Sequence, residues 1–178
     1  MRRTLDEALI ALRHTVDGWA RGDVRPDVRV FVYPPEREVE MLARLRSFVQ
    51  ERAMAGQQIA LLDVGTLLLQ EVERRVGMSE RLAQQEERDR RRLAQDLEQF
   101  ATRAVRNAIL APHDSATVCR LLLNTGTLAT TISYSALLND IHDTVTTPSI
   151  LAFPGEGDER SLNLLGLRSD TSYRVPRI

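Results

Sequence analysis

The chain has 178 residues, of which 43% are hydrophobic and 28% are charged, as expected of one folded domain and not of a disordered segment. Its 24 basic and 25 acidic residues give a formal net charge of -1, so the chain lacks the positive surplus that direct nucleic-acid binding normally requires. All of the basic residues are arginine, and the absence of lysine excludes Schiff-base chemistry and the lysine of a P-loop.

The cysteine content and the first residues of the sequence indicate the cellular compartment of the protein. The single cysteine, Cys119, excludes an intrachain disulfide and a cysteine-based zinc cage. The charged residues near Met1 do not resemble a secretion signal, and no apolar run approaches the ~20 residues needed to cross a bilayer. We therefore expect a cytoplasmic protein that makes no membrane contact.

The first half of the chain alternates helices with strands. Thr4 and Glu7 have the spacing of a capping box, which predicts an N-terminal helix within residues 1–22. The β-branched and aromatic run Val28–Tyr33 predicts a strand that ends at two prolines. A helix closed by Gly56, a second strand (Gln58–Leu62) and a leucine-rich helix ending at Gly77 complete this half.

A long charged segment occupies the middle of the sequence. Ser79 could cap a helix over about residues 79–111, in which a charged stretch from Glu86 to Arg92 interrupts the apolar positions. Glu86 and Arg90 have the favourable i,i+4 order of an exposed helix. We predict a solvated helical arm, with a role in self-association as the alternative.

The second half predicts two further strands, Thr117–Leu123 and Ser149–Phe153, joined by the turn Asn124–Thr127 and a short helix that includes Ile141. A loop over residues 154–158 and an apolar patch over residues 162–167 follow. Strands that alternate with helices imply a parallel sheet. We predict a single α/β domain over residues 1–178, with a small, mostly parallel, Rossmann-like three-layer sheet, helices on both faces and the long charged helix.

In such a sheet, ligands bind beyond the carboxyl ends of the strands. None of the four turns there has a glycine-rich phosphate-binding pattern. The turn after the third strand offers a weak anion-site candidate made of Asn124, Gly126 and Thr127, whose backbone N–H groups could hold a negative charge. The same residue types also make ordinary turns.

Other chemistry-bearing residues do not form a recognisable site. Asp63, Glu156, Asp158 and Glu159 could bind magnesium or act as acids and bases, although acids in a surface loop are usually solvated. The three histidines, at positions 14, 113 and 142, lack metal-binding spacing. Cys119 lies within an apolar strand and is expected to be buried and inert. We expect no catalytic residue, no metal and no cofactor, and thus no enzyme.

The order of these segments resembles the BrxB family of BREX bacteriophage-exclusion systems, over most of residues 28–178. Its most specific part is the C-terminal signature: an apolar strand, Phe-Pro-Gly, Ser-Leu-x-Leu-x-Gly and a terminal Tyr-Arg. The signature residues are Phe153, Pro154, Gly155, Leu162, Leu164, Gly166, Tyr173 and Arg174. The sequence departs from the family pattern at Ser172, where a second aromatic is usual, at Asn124, where a glycine is common, and at residues 129–131, which replace an aromatic–proline pair.

The resemblance implies a non-enzymatic adaptor or assembly component of a prokaryotic antiphage system. It implies binding to a PglZ-like protein of the alkaline-phosphatase superfamily, alongside a methyltransferase and a large ATPase as further components. Two alternatives stay open: a degenerate nucleotide-binding sensor, and a nucleic-acid-binding accessory subunit that uses Arg88 and residues 90–92. A homodimer is also left open.

Overall fold

The computed structural model describes residues 4–73, 90–112, 114, 116–128, 131–157, 161–164, 168–171, 176 and 178. Helices and strands alternate along this part of the chain, as the sequence predicts. The helices are α1 (Leu5–Arg21), α2 (Glu38–Met54), α3 (Val64–Glu73), α4 (Arg90–Leu110) and α5 (Tyr134–Ile141). The strands are β1 (Val28–Tyr33), β2 (Gln58–Asp63), β3 (Thr117–Leu123), β4 (Ser149–Pro154), β5 (Glu156–Gly157), β6 (Ser161–Leu164) and β7 (Arg168–Thr171).

The ends of α1 follow from local chemistry. The Thr4 side chain accepts a hydrogen bond from the Glu7 backbone N–H at 3.2 Å, and the Glu7 carboxylate accepts one from the Thr4 N–H at 2.8 Å. Gly22 ends the helix with a left-handed φ of 74°, which glycine adopts without steric cost. The predicted capping box is therefore confirmed.

Four strands form an all-parallel sheet in the order β1-β4-β3-β2. Successive side chains of these strands point to opposite faces, and both faces are covered. One core contains buried residues of α1 and α2 together with Phe31, Leu121 and Ile150. The other contains buried residues of α4 and α5 together with Leu122 and Leu151. The predicted α/β class with helices on both faces is confirmed, in three layers.

Ion pairs join α1 to α2 along their length. Each helix contributes both signs of charge, so the contacts alternate in direction: Arg44 with Asp6 at 2.5 Å, Arg13 with Glu51 at 2.6 Å, and Arg52 with Asp17. The guanidinium groups of Arg13 and Arg52 also lie 5.4 and 5.1 Å from the centre of the Phe48 ring. The contact of Arg13 joins α1 to α2, whereas the contact of Arg52 lies within α2.

Arg120 connects β3 to the end of α4. Its side chain is buried, and it donates hydrogen bonds to the backbone carbonyls of Ile109, at 2.5 Å, and Ala111. These carbonyls lie at the C-terminal end of α4, where no helical N–H remains to satisfy them and where a positive charge is favoured. Burial lowers the pKa of Arg120 from its ordinary value. The last turn of α4 is thus held on the sheet by a buried cation.

The arm prediction concerns the opposite end of this helix. In α4 itself, Ala101, Val105 and Ile109 are buried in the core, so this part of the helix packs on the sheet. Residues 79–89, which carry most of the charged stretch, lie outside the described residues. The solvated arm therefore stays a prediction.

The C-terminal region differs from the sequence prediction. The expected loop after β4 begins with the short strand β5, which pairs antiparallel with β6, and β6 pairs with β7. The apolar patch predicted over residues 162–167 thus begins within β6 of a second, three-stranded sheet. The predicted turn Asn124–Thr127 likewise contains a 3-10 helix over Thr125–Leu128. Short pairings of this kind leave no hydrophobic period in the sequence.

The two edge strands of the parallel sheet, β1 and β2, differ in whether their outer backbone groups are paired. The backbone of Val30 in β1 accepts a hydrogen bond from the Ile178 N–H at 3.0 Å and donates one to the Pro176 carbonyl at 3.1 Å. Ile178 is buried in the core with α1 and α2. The C-terminal residues therefore cover the β1 edge, whereas within the described ranges no strand pairs with the outer side of β2.

Candidate functional site

The carboxyl ends of β2 and β3 bring Asp63 and Asn124 together. The Asn124 side-chain amide donates to one carboxylate oxygen of Asp63 at 2.5 Å. The other oxygen accepts the Thr66 backbone N–H at 3.0 Å, at the start of α3. Asp63 therefore serves as a cap for α3, which is the ordinary use of an acid at a helix N-terminus.

The turn after β3 satisfies its own polar groups. Thr125 is buried, and its hydroxyl donates to the Ala152 carbonyl of β4 at 2.7 Å. The Thr127 hydroxyl and backbone N–H both donate to the Asn124 carbonyl, at 2.7 and 3.2 Å. The Tyr134 hydroxyl, which follows in α5, donates to the Thr125 carbonyl at 2.6 Å. The hydrogen bonds of this turn thus join β3, β4 and α5.

Backbone conformation and close packing explain the other residues of this turn. Asn124 has a left-handed φ of 57°, a conformation that asparagine tolerates better than most residues and that glycine adopts freely. A Cβ atom placed on Gly126 would lie 2.6 Å from Cγ of Pro154. Glycine is needed at position 126 because the β4 proline packs directly against it.

The anion-site prediction for Asn124, Gly126 and Thr127 stays a prediction. The structure brings these residues to the expected edge of the sheet, and internal contacts account for each of them. The Asp63 carboxylate lies against this turn and would repel an anion there.

The neighbouring end of β4 contains the first part of the family signature. Phe153 is buried and makes an edge-to-face contact with Tyr134, with ring centroids 5.7 Å apart. The Gly155 N–H donates to the Tyr33 carbonyl at 2.8 Å, so the chain continues to pair with β1 past the end of β4. The crevice between β1 and β4, which is where a ligand would enter an open sheet, is thereby bridged by backbone.

The remaining signature residues are only partly described. Leu162 and Leu164 lie in β6, and Gly166, Tyr173 and Arg174 lie outside the described residues.

Burial holds the pKa of the Tyr33 and Tyr134 hydroxyls above their ordinary value, and neither hydroxyl is available as an acid near neutral pH.

The other chemistry-bearing residues fall only partly within the described residues. Glu156 is in β5, and Asp158, Glu159 and His113 fall outside the described residues. His142 pairs with the exposed Asp143 at 3.1 Å on the surface. In the part of the chain that the structure describes, no three histidine, cysteine, aspartate or glutamate side chains are grouped to hold a metal.

Cys119 is buried, as predicted, and burial raises the pKa of its thiol to about 12.

The structural role of the neighbouring Arg120 was not predicted from the sequence. An arginine inside the apolar run TVCRLLL indicates a buried charge that needs a hydrogen-bonding partner. The sequence does not show that this partner is the end of a distant helix.

A cavity of about 400 Å³ lies at the other end of the strands, beside the amino ends of β3 and β4. Its lining residues include Trp19, Val24, Pro26, Val118 and Pro148. Arg25 is the charged side chain among its described lining residues. A site at this edge was not predicted, because reactive groups in parallel sheets usually gather at the carboxyl ends.

Comparison with known proteins gives the family. The family model described as "BREX protein BrxB" matches residues 60–178, which is more than half of the chain. The searches of curated proteins and of solved structures return no match. Across the described residues, no helix is both long and apolar enough to cross a membrane. The chain therefore belongs to the BrxB family, a component of BREX antiphage defence systems.

Proposed function

We propose that this chain is a non-enzymatic adaptor that binds the PglZ-like protein of its BREX system. One observation carries the non-enzymatic half of the proposal: the polar side chains at the carboxyl ends of the strands are hydrogen-bonded within the chain, either to each other or to backbone groups. Asp63, Asn124, Thr125 and Thr127 each have an intramolecular partner that explains their presence. A group committed to holding strands together is poorly placed to bind and transform a substrate.

The adaptor half of the proposal is supported by family membership, and exposed apolar side chains offer positions at which an interface can be probed. The large apolar side chains that are exposed include Val39, at 85% exposure, Met54, at 83%, and Leu69, at 63%. Val39 and Met54 lie on α2, and Leu69 lies on α3 in the opposite layer. Single exposed apolar residues are ordinary, so these positions serve as probes and not as proof of an interface.

The test is co-elution of the chain with the PglZ-like protein encoded beside it, measured by size-exclusion chromatography with light scattering. The tag belongs at the N-terminus, because Ile178 is buried and paired with β1. We expect a complex at micromolar concentrations. Two purified, folded proteins that elute separately at these concentrations would refute the adaptor function.

Charge-introducing variants then locate the interface. Val39→Glu tests the α1–α2 layer, and Leu69→Glu tests the opposite layer. Gln99→Glu, at an exposed position of α4, introduces the same charge without removing an apolar side chain. We expect one of the first two variants to weaken the complex at least tenfold while Gln99→Glu leaves it intact.

A thermal-shift panel with nucleotides and magnesium separates this function from nucleotide sensing. A ligand at a hundredfold excess over its Kd stabilises a protein by about 2.7 kcal/mol, a shift of several degrees for a chain of this length. We expect no such shift. A reproducible shift with one nucleotide would favour the sensor.

A further inference from the structure

The open edge of the parallel sheet is formed by β2. This strand is last in the order β1-β4-β3-β2, and in the described part of the chain its outer backbone groups have no strand partner. The opposite edge is covered by Pro176 and Ile178, which bond to Val30. An uncovered edge strand offers a row of N–H and C=O groups to another strand.

The one charged residue of β2, Asp63, lies at its end, and the rest of the strand does not protect this edge. Proteins usually guard an exposed edge strand with a charge, a proline or a bulge. Residues 58–62 of β2 contain no charge and no proline, and the pairing irregularity lies at its start, between Gln58 and Ile59. Leu61, in the middle of the regular part, is 40% exposed. An apolar side chain is thus presented at the centre of an unguarded strand.

We propose that β2 pairs with β2 of a second copy of this chain, antiparallel about a twofold axis at Leu61. A twofold axis perpendicular to the sheet keeps each face of one copy continuous with the same face of the other. Residues that face each other across the axis must point to the same side of the sheet, so their numbers must be both odd or both even. An axis that passes through Leu61 meets this condition. It pairs Leu61 with its mate, Ala60 with the partner's Leu62, and Ile59 with the partner's Asp63.

The charges of β2 suit a second copy as the occupant. In this register the two Asp63 carboxylates lie four residue positions apart along the ladder, about 13 Å at the usual rise per residue. This separation exceeds the Debye length of about 8 Å at physiological ionic strength, so their repulsion is screened. The paired residues are otherwise uncharged, and the exposed surface of Leu61 is buried against an identical side chain. The strand is self-complementary, as a twofold interface requires.

The first test is the mass of the full chain in solution, measured by light scattering between 10 and 200 µM. We expect a dimer for the natural sequence and a monomer for Leu61→Glu, since this change places two carboxylates against each other at the axis. Val39→Glu is the matched control because it replaces an exposed apolar residue on α2 by the same charge, and it should stay dimeric. A natural chain that is monomeric over this range would overturn the proposal.

A cysteine at the axis gives a second readout that does not depend on tolerance of a charge. The natural Cys119 is buried, so an introduced cysteine is the reactive one. Directly paired residues have Cα atoms about 4.5–5.5 Å apart, within the range of a disulfide. Leu61→Cys should form an interchain disulfide under mild oxidation, and Val39→Cys should not. Equal cross-linking of the two variants, or none with Leu61→Cys, would contradict the β2 pairing, and neither result depends on the adaptor function.

Discussion

Replacing Arg120 by methionine tests whether a buried cation holds the end of α4. Methionine keeps an unbranched side chain in the core and removes the guanidinium that bonds to Ile109 and Ala111. Each hydrogen bond from a charged donor contributes about 1.5–3 kcal/mol, and the two carbonyls would lose their partner at the end of a helix. Removing a buried charge returns part of its desolvation cost. We expect a net loss of about 2–4 kcal/mol.

The assays are urea unfolding and thermal unfolding, both followed by circular dichroism and by fluorescence of Trp19, the only tryptophan. For a chain of this length, the expected loss corresponds to a decrease of about 4–16 °C in Tm. Arg106→Met is the matched control because Arg106 makes an exposed ion pair with Asp140, and it should cost less than about 1 kcal/mol. Equal losses for Arg120→Met and Arg106→Met, or full stability of Arg120→Lys, would refute the reasoning, because lysine lacks the planar fork that reaches both carbonyls.

Three further predictions follow from described contacts. Gly126→Ala should lower the free energy of unfolding by about 1–3 kcal/mol, measured in urea, because the added Cβ collides with Pro154. Cys119 should react with a thiol reagent at pH 8 only at the rate of unfolding, since its thiol is buried and has a raised pKa. Asp17→Asn should cost about 1 kcal/mol at pH 7, because the hydrogen bond from Arg52 holds the pKa of Asp17 below its ordinary value. That stabilisation is present above the unfolded pKa of about 3.8 and is lost as the pH falls through the lower folded pKa, so the variant and the natural protein should converge in acid.

Each of these predictions has a result that would contradict it. Gly65→Ala, where the added Cβ meets Asp63 at 3.3 Å, is the control for position 126, and an equal loss there would remove the close-packing argument. Labelling of Cys119 within seconds in native buffer would show that the thiol is accessible. A stability difference between Asp17→Asn and the natural protein that does not shrink below pH 3 would assign the effect to packing and not to the ion pair.

The four strands of the parallel sheet could be predicted because each is a β-branched or leucine-rich run bounded by turn residues. Val28–Tyr33 ends at prolines, and Thr117–Leu123 ends at an asparagine in a left-handed conformation. Buried parallel strands are apolar on both faces, so a continuous apolar run is their signature. The capping box of Thr4 and Glu7 likewise marks the start of α1 in the sequence.

The second sheet could not be predicted in the same way. β7 (Arg168–Thr171) reads RSDT, which has no apolar alternation, and β5 has two residues. Both strands pair with β6 through backbone hydrogen bonds, and their own side chains do not indicate this pairing. At the carboxyl ends of the strands, the sequence indicated which turns would lie there, but the packing of Pro154 on Gly126 depends on the spacing of two strands. A local pattern contains no information on that distance.

The strand order also has a consequence for synthesis of the chain on the ribosome. Of the four parallel strands β1 is made first, yet its sheet partner is β4 (Ser149–Pro154), which is made last of the four. Until then the apolar β1 segment has no neighbour in the sheet, while β2 and β3 can already pair with each other. Nascent or truncated chains that stop before β4 should therefore be prone to aggregation and dependent on chaperones, in contrast to the completed chain.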